Sequence, residues 1–160
     1  MSTLNKKPNT WINRIYNSDN NARYDLSKEF DFGEHSPADG IPIDLSRTPI
    51  KSPAVSPGDT VYIAVQGILT LANGKLLKST RIVAKGIVED VAHRANGVPY
   101  ITFVKGTFMH LATPLIDGLD LKLFANYKKI KVTSRRPYFS IGNNHAKFID
   151  DWLFYNSPTK

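Results

Sequence analysis

Apolar and polar residues alternate with a period of two along several stretches of this chain, and that alternation predicts strands. In "TWINRIYN" (10–17), Ile12, Arg14 and Tyr16 alternate with Trp11, Asn13 and Ile15, which predicts a short opening strand. "TVYIAVQG" (60–67) sets Val61, Ile63 and Val65 on one face and Tyr62, Ala64 and Gln66 on the other. "RIVAKGIVEDV" (81–91) reads as the next strand, and Gly86 in its middle marks a bulge or a close backbone approach. A further strand is expected over 100–105 and one more around 129–133. Asn73-Gly74 and Asn96-Gly97 are the turn signals between them.

Two regions break the alternation. Residues 18–56 are turn-rich, and Gly33, Pro37, Gly40, Pro42, Pro49 and Pro53 exclude a long regular element there. Only "ARYDLSKEF" (22–30) has room for two helical turns. An irregular insertion of this length is uncommon in a compact domain and is often functional when ordered. Near the C-terminus, "NNHAKFIDDWLFYN" predicts a helix capped by Asn143 or Asn144, with Ala146, Ile149, Trp152 and Leu153 on one face. The order is strand, irregular insertion, four or five strands, helix. It predicts an α+β, mostly β fold: a small β-barrel with short helices and a C-terminal helix, in one domain over 1–160.

Composition narrows the function classes. The chain has 160 residues, enough for one domain with a proper core. It has no cysteine, which excludes disulfides, thiolate catalysis and sulfur-ligated zinc. No run approaches the roughly 18 apolar residues of a membrane helix, so no membrane partner is expected. "MSTLNKKPNT" lacks the apolar core of a secretory signal, and a cytoplasmic location is the expectation. The net charge is +7, distributed unevenly: residues 1–60 balance at −1, whereas 61–110 and 111–160 each carry +4. The basic surplus belongs to the strands and the terminal helix, and such a footprint suits a polyanion.

Three features carry a resemblance: a first strand with an early Trp, ending in Asn-Ser ("TWINRIYNS"); a "PGD" entry (57–59) into an apolar strand; and the glycine-containing strand "RIVAKGIVEDV" one hairpin later. With the basic "SRRPYFSIGNNHAKFI" before the closing helix, the chain resembles the PUA-like superfamily, and within it the EVE/YTH-type domains. The resemblance spans nearly the whole chain, although residues 19–56 show no matching pattern. It implies a PUA-like β-barrel. It also implies recognition of a modified or flipped nucleobase in an aromatic pocket, with basic residues on the phosphates.

Candidate binding residues follow. Trp11 and Asn13 share a face of the first strand: Trp11 either walls a base pocket or fills the core, and Asn13 either bonds a base edge or faces a turn. Gln66, at a strand end, either reads a base edge or is a plain polar terminus. Lys75, Lys78, Arg81 and Lys85 surround one hairpin, and the four-residue spacing of Arg81 and Lys85 puts them on one strand face, for phosphates or for edge protection. Arg135, Arg136 and Tyr138 form the most nucleic-acid-like stretch: two guanidiniums for phosphate, one ring for stacking, with Lys128, Lys129 and Lys131 extending the charge.

Catalytic signatures are sparse. His35, His93, His110 and His145 stand without ligand spacing, so no metal and no cofactor is expected. Glu89-Asp90 points to opposite faces of a strand, and Asp150-Asp151 reads as the solvated side of the last helix. Some ASCH-type barrels are small amidohydrolases using a Lys, a Thr and a Glu. Lys85 and Glu89, four apart on one strand, keep that alternative open. The leading expectation is a non-enzymatic nucleic-acid-binding module, for DNA or RNA; the others are the hydrolase and a domain that binds a protein partner.

Overall fold

The computed structural model describes residues 8–15, 24–25, 42–46, 49–110, 119–128 and 138–156. Nine strands lie within them: β1 (Thr10–Ile15), β2 (Tyr24–Asp25), β3 (Ile43–Asp44), β4 (Thr60–Thr70), β5 (Leu76–His93), β6 (Pro99–Phe103), β7 (Met109–His110), β8 (Leu119–Asp120) and β9 (Tyr138–Ile141). Two helices accompany them, α1 (Leu121–Lys128) and α2 (Asn143–Asn156). The strand order is β3-β6-β5-β4-β1-β9, with β2 beside β4 and β7 and β8 beside β5. This path does not close on itself among the described residues, so the expected closed barrel reduces to a mostly β, α+β fold with a mixed sheet. No helix there is long and apolar enough to cross a membrane.

The central strand explains the layers. Every residue from Val61 to Val65 is buried, because β4 is covered on both faces. On the inner face Val61, Ile63 and Val65 pack with Trp11, Val83, Val88, Ile101, Phe103 and Phe108. On the outer face Tyr62 and Ala64 pack with Ile12, Ile82, Leu119, Phe124, Ile149 and Leu153, so α1 and α2 form the covering layer. The inner layer arises because β5 belongs to two pairings: with β4 from Leu76 to Ile87, then with β6 from Val88 to His93. At the bend, a Cβ on Gly86 would sit 2.5 Å from Cδ1 of Phe103. The glycine is a close-approach site, as expected.

Pairing direction could not be read locally. β1 runs parallel to β4, Trp11 opposite Val61 and Asn13 opposite Ile63, and antiparallel to β9. Parallel neighbours need a long crossover. The chain between β1 and β4 is that crossover, and within it Tyr24–Asp25 pairs with β4 as a strand rather than continuing a helix. Both Asn-Gly turns are three-residue loops of one design. The Gly74 N–H reaches the Leu71 carbonyl at 2.9 Å and the Gly97 N–H reaches Arg94 at 2.8 Å, with both glycines in the left-handed region at φ 84° and 88°.

The helices begin differently from expectation. Ala146 donates to the Gly142 carbonyl at 3.0 Å, so Gly142, not Asn143 or Asn144, caps α2. Its apolar face is as expected, with Ile149 and Leu153 buried and Ala146 and Trp152 packed beside them. Helix α1 was not foreseen; Asp120 caps it by accepting the Leu123 N–H at 2.9 Å. The strand expected around 129–133 lies outside the described residues.

Candidate functional site

The "PGD" entry works as a joint. The buried Asp59 carboxylate accepts three hydrogen bonds: from Asn9 N at 2.9 Å, from Ser56 N at 2.9 Å and from Trp11 Nε1 at 2.8 Å. The first and third come from the approach to β1 and from β1 itself, so the turn that launches β4 also fixes the strand beside it. Next to the carboxylate, Val88 N donates to the Asp59 carbonyl at 2.8 Å and ties β5 to the same point. Trp11 is therefore a core residue with its indole N–H committed. Its ring packs edge-on against Tyr138, centroids 5.6 Å apart at 69°.

Asn13, two residues along β1, is a polar side chain inside this apolar layer. It is 0% exposed. Its Nδ2 donates to the Asp44 carbonyl at 3.3 Å, which fixes the amide's orientation, and its Oδ1 has no hydrogen-bond partner among the described residues. A buried acceptor left unsatisfied costs about 1–3 kcal/mol. Tyr138 is its register partner on β9, half-buried against the inner core. Arg81, opposite Val65 in the β4–β5 ladder, lies on the same inner face. Trp11, Asn13, Tyr138 and Arg81 are thus gathered on one surface of the sheet.

Lys85 is not with them. The β4–β5 register skips Val83, the extra residue of a bulge, so Arg81 and Lys85 lie on opposite faces despite their four-residue spacing. That corrects the expected shared face. Lys85 stands opposite Tyr62 on the helix side, where its Nζ donates to Asp150 Oδ1 at 2.9 Å. The Tyr62 hydroxyl donates to the same oxygen at 2.5 Å and lies 3.2 Å from the Ala146 carbonyl. Burial, then the hydrogen bond and the charge of Asp150, push the Tyr62 phenol far above its usual range. It stays a neutral donor, and the cluster works as a clamp of α2 onto the sheet. Asp150 accordingly faces inward, correcting its expected place on the solvated side; Asp151 is exposed and pairs with Lys147 at 3.2 Å.

The remaining candidates divide simply. Gln66 lies within β4, four residues before the strand ends, rather than at a terminus. Arg135 and Arg136 lie outside the described residues, as do Lys129 and Lys131. Glu89 is exposed and is the unpaired residue of a second bulge, between Val88 and Asp90. His93 Nε2 lies 2.8 Å from the Ile50 carbonyl, and His145 packs edge-on against Phe124. Among the described residues no three His, Asp or Glu side chains group as metal ligands.

Sequence reasoning missed the Asp150 clamp and the anchoring role of Asp59. The first had a signal: Asp150 follows Ala146 by four positions and precedes Leu153 by three, which puts it inside the apolar stripe of α2. No protein-family model, curated protein or solved structure matches the chain.

Proposed function

We propose that this chain is a cytoplasmic nucleic-acid-binding module of PUA-like, EVE/YTH-type character that takes a modified or flipped nucleobase at the inner face of its sheet. The carrying observation is the Asn13 carboxamide, whose oxygen is buried without a hydrogen-bond partner. With Nδ2 held by the Asp44 carbonyl, the free valence is an acceptor, which matches an N–H on the edge of a base. Tyr138 supports the reading as a ring beside that acceptor, and Trp11, immobilised by Asp59, backs the ring. Arg81 on the same face and the basic balance of residues 61–160 supply the attraction for phosphate. Closure of the sheet into a PUA-like barrel, and phosphate contacts by Arg135 and Arg136, belong to the same proposal. The hydrolase alternative draws less support, since the partner of Lys85 is Asp150 and Glu89 stands exposed at a bulge.

The test is fluorescence-anisotropy binding to single-stranded DNA and RNA, with and without base modifications, at two salt concentrations. Salt-sensitive binding with a preference for one modified oligonucleotide is expected. Asn13→Ala should erase that preference by roughly tenfold, the worth of one hydrogen bond, while keeping the salt dependence. Absence of binding to every oligonucleotide at low salt overturns the reading.

A further inference from the structure

The hairpin of β4 and β5 outgrows the body of the sheet. β1 ends opposite Val65, and β8 pairs with β5 only at Arg81 and Ile82. Beyond that level the two strands continue to Thr70 and Leu76, flanked among the described residues only by the two-residue β2 at Gly67 and Ile68. From Val65 to the tip is six residues, a reach of about 20 Å at the usual strand rise. The whole tip, Leu71 through Leu76, is exposed, with Leu71 at 39% and Leu76 at 65%. Charge along the arm has one sign: from Gln66 to Thr80 lie Lys75 and Lys78 and no Asp or Glu.

We propose that this arm is a ribbon for duplex DNA, whose tip leucines wedge between base steps while Lys75 sits on the adjacent phosphates. The inference rests on the nucleic-acid reading above and extends it from a single base to the duplex around it. A one-signed cationic ribbon has a polyanion as its electrostatic complement. Aliphatic side chains cannot read base edges, but they unstack steps and kink B-form DNA from the minor groove, as apolar wedges on basic arms do. The three-residue loop Ala72, Asn73 and Gly74, closed by the Leu71 N–H on the Lys75 carbonyl at 2.8 Å, keeps the tip narrow. An arm built to enter a lipid interface would carry aromatic anchors, and Leu69 to Lys78 contains none.

The experiment uses the full chain and a 30-base-pair duplex with a central TA step, fluorescently labelled at both ends. Binding is followed by anisotropy across salt, and bending by energy transfer between the ends. The wild type should bind and raise the transfer. The exposed Leu71→Ser/Leu76→Ser double variant, with an unchanged urea midpoint, should bind with the same salt slope and leave transfer at the free-duplex level. Lys75→Ala should lower the salt slope by about one.

Wild-type binding without a rise in transfer, or an undiminished rise in the leucine variant, overturns the wedge. So does a leucine variant that instead loses binding to phosphatidylglycerol vesicles, or loses a dimer seen by sedimentation. The single-stranded panel separates the two proposals. Base preference retained without bending removes the arm alone, and bending retained without base preference removes the Asn13 reading alone.

Discussion

Asp59 and Trp11, 48 residues apart in the chain, share one buried hydrogen bond from indole Nε1 to carboxylate Oδ2 at 2.8 Å. The bond joins the turn that starts β4 to the side chain that fills the inner core from β1, and it makes a parallel strand pair depend on a single carboxylate. Removing that carboxylate leaves the indole N–H buried without an acceptor and two backbone N–H groups released. Asp59→Ala should therefore cost about 2–4 kcal/mol in urea unfolding, well above an ordinary surface substitution. A loss below about 1 kcal/mol would show that the joint is dispensable. Trp11→Phe, which puts a smaller ring without the N–H in the same core, should also destabilise, through the lost bond and the unfilled volume.

The bend of β5 makes a second prediction. Gly86 lies where a methyl group would meet the Phe103 ring at 2.5 Å, and that ring packs at 5.2 Å from Phe108. Gly86→Ala should destabilise by about 1–3 kcal/mol through overpacking. Adding Phe103→Leu should recover part of that loss, seen as a favourable coupling in a double-mutant cycle. Purely additive losses would place the cost in the backbone instead.

How much could be read from the chain depends on whether a feature is written locally. Val61, Ile63 and Val65 alternate with Tyr62 and Ala64 and so announce a strand, and Asn73-Gly74 and Asn96-Gly97 announce its turns. The partner of a strand has no such mark: nothing near Trp11 says that β1 lies parallel to β4, because the sequence of the crossover that permits it carries no alternating pattern. The bulge at Val83 is likewise silent, and it alone separates Arg81 from Lys85. Asn13 was recognisable as polar on an apolar strand. Its buried, half-satisfied amide became visible only when Asp44, 31 residues on, arrived beside it.

Tyr62 gives the pH dependence. Its phenol is held neutral in the fold, by burial first and by Asp150 second, whereas in the unfolded chain it ionises near the ordinary value of about 10. A raised acid favours the folded state fully below the unfolded value, and the contribution is lost as pH climbs above it. Stability should fall with pH from about 10 upward. Part of the tyrosinate absorbance should appear late, together with loss of the far-ultraviolet circular dichroism. Tyr62→Phe should remove that late component and flatten the alkaline slope. A slope unchanged in the variant would assign alkaline unfolding to other groups.

Asn13 should show a trade between stability and binding. Its oxygen is an unsatisfied acceptor inside an apolar layer, and Asn13→Leu replaces it with a side chain of similar size that suits that layer. The substitution also removes the bond to the Asp44 carbonyl, a long, part-buried contact at 3.3 Å whose loss costs little. Urea unfolding of Asn13→Leu should therefore show unchanged stability or a gain of up to about 1 kcal/mol, in contrast to the usual cost of altering a fully buried residue. The same protein should lose discrimination among modified oligonucleotides. A polar group retained at a cost in stability is the mark of a residue kept for a ligand. A variant that is markedly less stable than wild type, with binding unaltered, would make Asn13 a structural amide and remove the support it lends to the proposed function.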